Sequence, residues 1–157
     1  MQYDDRIRVA RKQLYSYYMD KQIVKDYFDA AHKQTRKMGD DAIRGTFKSD
    51  PTARGGIMLA EPPDYIAERI AWIKAIEDAW AEMHIDDQAY RRVPARGKAY
   101  VMEVFFCLTQ PPRRRDRNEQ ARNNLCHECK IAIRTFYNWL SDITNAVVAQ
   151  ATLRKLL

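Results

Sequence analysis

Residues 125–140 read LCHECKIAIRTFYNWL, and two chemistries compete for them. Cys126, His127 and Cys129 spell C-H-x-C, with Cys107 nineteen residues earlier. Thiolates and imidazole suit tetrahedral zinc, so a Cys3His centre is one reading. On a helix, however, Cys126 and Cys129 share a face, while His127 points about 100° away from Cys126. No second CxxC is present, so no metal and no cofactor is expected. His32 and His84 have no nucleophile pattern nearby, and no P-loop, dinucleotide fingerprint or HExxH occurs. The acidic pairs Asp4-Asp5, Asp40-Asp41 and Asp86-Asp87 fall at expected helix ends or loops, as caps or solvated charge. The chain reads as non-catalytic, with a metal-dependent enzyme as the rival that elemental analysis would reveal.

The other chemistry is DNA reading. A helix-turn-helix needs small or apolar residues inside its first helix, an apolar residue after a tight turn, and apolar residues at helical spacing in the second. Leu125, Cys126 and Cys129 fill the first set, Ile131 follows the turn, and Phe136 and Trp139 face inward from the second helix. From Cys126 the offsets to Cys129, Ile131, Phe136 and Trp139 are 3, 5, 10 and 13, which fits the motif. Two residues depart from the usual pattern. Lys130 stands where the turn favours Gly for positive φ, and Ala132 stands where Ser or Thr caps the second helix. With that helix starting near Ala132, Ile133, Arg134, Thr135, Tyr137, Asn138 and Ser141 point outward. Arg134 and Asn138 suit guanine and adenine edges, and Ile133 and the Thr135 methyl suit thymine. Tyr137 and Ser141 suit phosphates. Arg113, Arg114, Arg115 and Arg117, after a Pro-Pro turn, are placed to grip the backbone.

Charge agrees with this reading. Residues 1–90 hold 14 Lys+Arg against 16 Asp+Glu, whereas 91–157 hold 13 against 5. A basic segment on a near-neutral one suggests a polyanion binder carried by another body. The expected division is therefore an N-terminal helical body over 1–90 and a DNA-binding region with a long last helix over 91–157.

These residues must be positioned by helices. The chain has 5 Gly and 6 Pro in 157 residues and no long alternating strand pattern, so an all-α fold is expected. Tyr3, Ile7, Ala10, Leu14 and Tyr17 share one helical face; Asp20 breaks it or caps a second helix, with Ile23, Tyr27 and Ala30 on one side. Residues 38–56 read as a loop, except that Asp50-Pro51 can open a short helix through Met58 and Leu59. Ile66, Ile70, Ile73, Trp80 and Met83 form a stripe widened by Trp72 and Ala79. Residues 85–97 read as a linker, and a helix from Lys98 to Leu108 buries Val101, Val104, Phe105 and Leu108. Leu140, Ile143, Val147 and Ala151 continue the last helix, to pack within the chain or, as the other option, on a second copy. No apolar run approaches the roughly 20 residues of a membrane span, and the start lacks an apolar leader. Three cysteines suit a reducing cytoplasm.

The arrangement resembles the phage late transcription regulators of the RinA/ArpU type, small helical proteins ending in a helix-turn-helix similar to region four of sigma factors. SDPTARGG (Ser49 to Gly56) precedes a long helix as their DPT-like segment does, and RGKAYVMEVFF (Arg96 to Phe106) sits where their DNA-binding unit begins. Arg134, Thr135 and Tyr137 match an R-x-x-Y-like start of the recognition helix. QPPRRRDR lengthens the usual link between the first two helices. The resemblance implies double-stranded DNA as ligand, RNA polymerase as a further partner and a bacterial host cytoplasm as location. Q-type antiterminators and small terminase subunits share these signals. A protein-interaction module on a helix-turn-helix scaffold is the reading from another class.

Overall fold

The structure, a computed structural model, describes residues 2–36, 51–92, 96–111 and 119–157. The described residues form helices joined by turns, without strands, and the fold is all-α. Its helices are α1 (Tyr3–Arg36), α2 (Pro51–Ala60), α3 (Asp64–Ala89), α4 (Lys98–Phe106), α5 (Glu119–Cys129) and α6 (Ile133–Leu153). Among these residues no helix is long and apolar enough to cross a membrane.

Two compact units divide the chain, Met1–Met19 with Ala71–Leu157, and Asp20–Ile70. Charge and packing thus divide it at different places, since the change of charge at 90/91 falls inside the first unit. In the Asp20–Ile70 unit, Pro51 opens α2 where the Asp-Pro pair predicts a start. The Tyr27 hydroxyl donates to the Met58 carbonyl at 2.9 Å. Arg69 Nε donates to Asp20 Oδ1 at 3.0 Å.

That ion pair explains one difference from the expected pattern. α1 runs unbroken for 34 residues, and Asp20, which the spacing offers as a break or cap, instead lies mid-helix with its carboxylate paired. With no restart at 20, the helix keeps its phase. Ala31 is buried and Val24, Tyr27 and Phe28 are half-buried, while Ile23 and Ala30 turn outward.

The larger unit has the main core. Ala10, Leu14 and Tyr17 from α1 are buried there. So are Trp72, Ile73, Ala75, Ile76, Ala79 and Met83 from α3. Ile143, Val147 and Ala151 are fully buried, so the second half of α6 packs within the chain. Gln150 donates to Glu82 and Arg154 to Asp78, which bind the end of α6 to α3.

The expected linker over 85–97 is shorter than predicted, because α3 continues to Ala89. Asp87 lies one turn beyond Met83 on the buried face, and it is 3% exposed. Its carboxylate accepts from the backbone N–H of Lys98 and of Ala99, both at 2.9 Å, and from Arg92 Nη1 at 3.1 Å. Asp87 therefore caps α4 from a distance, and the extension of α3 carries it there. A Cβ at Gly97 would lie 2.0 Å from Asp87 Oδ2, so glycine is needed there for space. Lys98 bridges Asp86 at 2.9 Å and Asp142 at 2.7 Å, joining the ends of α3 and α4 to α6.

Candidate nucleic-acid interface

Helices α4, α5 and the first half of α6 pack on one another around a small core. Leu125, Cys129, Phe136 and Trp139 are buried as the spacing predicts, and the Phe105 and Phe136 rings meet edge-on, centres 5.4 Å apart. Arg92 sits 5.0 Å over the Trp139 ring, so the Asp87 cluster also bears on α6. Three expected inward positions are looser. Cys126 and Ile131 are only half-buried, and Val104 on α4 is exposed. At 3.6 residues per turn, Leu125 and Cys129 set the inner line of α5 and Val101 and Phe105 that of α4, which leaves Cys126 and Val104 at the rim.

The connection between α5 and α6 is three residues, 130–132. Lys130 has φ 54°, the left-handed conformation that its place in the motif requires. Lys130 N–H donates to the His127 carbonyl at 3.2 Å and Ile131 N–H to that of Cys126 at 3.0 Å, closing α5 with a Schellman turn. A non-glycine residue there costs about 1 kcal/mol. Arg91, Cys107 and Lys155 take the same conformation after α3, α4 and α6, so this chain habitually ends helices without glycine. Ala132 is the N-cap of α6 in extended conformation, with no side-chain cap and no acidic residue in the first turn.

The predicted reading residues emerge from this start. Ile133, Arg134 and Asn138 are exposed, Thr135 is half-buried, and Tyr137 and Ser141 are exposed. Arg134, Asn138 and Ser141 follow at i, i+4 and i+7 and so share one face. Among the described residues, the side chains of Lys130, Arg134 and Asn138 make no hydrogen bond or ion pair. Most neighbouring cations are engaged, Arg92 by Asp87, Lys98 by Asp86 and Asp142, Arg154 by Asp78. Burial lowers the pKa of Lys98, but the hydrogen-bonded Asp142 and Asp86 more than offset this and leave it raised. Arg113, Arg114, Arg115 and Arg117, expected to hold phosphates, lie outside the described residues.

Two nearby cations escape a reading by motif spacing. Arg96 is exposed and acts electrostatically on Cys129 at the end of α5. Arg122 of α5 donates from Nη1 to the Tyr137 hydroxyl at 2.6 Å. The signal for Arg122 was its place one turn before Leu125, on the flank of the helix that crosses α6.

The Cys129 thiol belongs to the core, while that of Cys126 lies at its rim. Burial pushes Cys129 up to about 11, helped by Glu128, and burial also raises Cys126. Among the described residues no three His, Cys, Asp or Glu side chains gather in a metal-holding group. A groove of about 450 Å³ between α4 and α5 is lined by Tyr100, Glu103, Asn124, Leu125 and Glu128 among others, and its two carboxylates make it a poor place for phosphate. No family model matches this chain, and it has no significant similarity to a curated protein or a solved structure.

Proposed function

We propose that this chain is a non-catalytic regulator that binds double-stranded DNA through α4–α6, with the start of α6 in the major groove. One observation carries the reading. Over 132–134 the chain departs from local helix preferences in two ways that leave the start of α6 to an outside anion. Ala132 leaves α6 without a side-chain cap, and Arg134 sets in its first turn a cation with no partner among the described residues. A cation near a helix N-terminus opposes the macrodipole by about 0.3–1 kcal/mol. Departures of this kind concentrate at functional sites. DNA phosphate would meet the open N–H groups and Lys130, while Arg134, Asn138, Ile133 and Thr135 face the bases.

The resemblance described for the sequence makes phage late-gene regulation the role we favour, with RNA polymerase as a second partner and a bacterial cytoplasm as the setting. Arg113, Arg114, Arg115 and Arg117 precede α5 closely enough to add phosphate contacts. The decisive experiment is fragment selection from the source genome, then mobility shifts on the selected site and on random duplex across a salt series. Arg134→Ala is expected to lose about 1–3 kcal/mol on the selected site alone and to relax one base position. Equal losses on both DNAs would remove the reading role, and no salt-dependent binding by the parent protein would favour an interaction scaffold.

A further inference from the structure

We propose that Arg122 and Tyr137 together form a seat for one phosphate of the DNA backbone, at the crossing of α5 and α6. The inference rests on the DNA-binding reading and adds a contact with its own occupant.

The geometry is specific. Arg122 Nη1 donates to the Tyr137 hydroxyl at 2.6 Å, and the guanidinium carbon is 5.7 Å from the ring centre. A phenol oxygen that accepts a hydrogen bond keeps its own proton to donate elsewhere. The cation also polarises that O–H, which improves it as a donor to an anion. Tyr137 is 51% exposed, so the proton has somewhere to go. The other arm of the guanidinium, Nη2, is held by Glu119 at 3.2 Å. The Glu119 side chain is 80% exposed against 26% for Arg122. An anion thus already sits at this arm, reachable from solvent and weakly held, as exposed pairs are. Arg122 Nε is buried without a hydrogen-bond partner among the described residues, so the guanidinium meets an incoming anion with its two Nη arms. A DNA phosphate replaces the Glu119 carboxylate on Nη2 and accepts the Tyr137 proton. Because Tyr137 rises from α6 three residues after Arg134, the seat sets how Arg134 enters the groove.

The test uses the full chain on random duplex over a salt series, with thermal unfolding recorded for each variant. Arg122→Gln is expected to weaken binding several-fold and flatten the log–log salt slope by about one unit, as loss of one neutralised phosphate requires. Tyr137→Phe weakens binding several-fold with the slope unchanged. Losing both costs less than the product of the two, since they share one phosphate. Glu119→Gln, an exposed substitution that spares the fold, tightens binding by removing the competing carboxylate. If Arg122→Gln misfolds, this last variant carries the test, and weaker or unchanged binding by it overturns the proposal. An unchanged slope in folded Arg122→Gln overturns it too. A parent protein that binds no duplex at any salt overturns the DNA-binding reading itself, and this seat with it.

Discussion

The two helices that meet at the core of the three-helix unit begin in opposite ways. α4 starts on Gly97, and the N–H groups of Lys98 and Ala99 are taken by the buried carboxylate of Asp87. α6 starts on Ala132, exposed, with no side-chain cap. The first start is closed by an internal anion, and the second is left open. Both ends carry the same partial positive charge, so what differs is whether the protein answers it from within. The closed start keeps α4 in place through Asp87, Arg92 and Trp139, and the open start stands on that support. If the proposed function holds, a helix end that holds the scaffold together and one that meets a ligand are told apart by where their anion comes from.

The comparison can be broken most severely at Asp87. Asp87→Ala orphans two N–H groups and Arg92 in a buried place, and urea unfolding should show a loss of about 3–5 kcal/mol. Asp87→Asn keeps an acceptor and should lose less. If both behave like surface changes, the closed start is not what holds α4.

It can be sharpened at α6. Ala132→Asp gives the open start its own anion, and should add about 1 kcal/mol of stability through N-capping. The same change should weaken DNA binding, because carboxylate and phosphate then compete for one end. Stability and affinity moving in opposite directions is the expected result; a parallel rise would mean that the end of α6 does not face DNA.

The smallest effect is absent at neutral pH. Cys129 is pushed up to about 11, chiefly by burial, and Tyr100 to about 12, chiefly by its hydrogen bond to Glu128. Each acid keeps its proton to higher pH in the folded chain than in the unfolded one. The unfolded state therefore binds fewer protons once pH passes the ordinary thiol range, and stability falls with rising pH. Unfolding midpoints should hold to about pH 9, then decline towards pH 11. Lys98, also raised, adds a loss of the same sign above its ordinary value. Cys129→Ala should remove the part that begins near pH 9, and an unaltered alkaline profile would place the thiol outside the core.

Much of the three-helix unit was legible in the sequence because its constraints are local. Cys129, Phe136 and Trp139 are fixed by helical period, and Lys130 and Ala132 mark the turn by the residues they are not. Fold class followed from the same periodicity. The contact between Arg122 and Tyr137 was not legible, since fifteen residues and a turn separate the two, and only a crossing angle brings them together. Asp86-Asp87 illustrates the same limit: the sequence allowed a cap or solvated charge, and the helix that Asp87 caps begins eleven residues later.

Helical period, turn chemistry and the uneven distribution of charge are properties of neighbours along the chain, so the amino-acid order alone determined an all-helical protein with a basic C-terminal part. Which cations are spent inside the protein and which remain for a ligand depends on what lies across from each, and that was decided by tertiary packing. Arg92 and Lys98 look as available as Arg134 in the sequence. Arg92, paired with Asp87, and Lys98, bridging Asp86 and Asp142, are not.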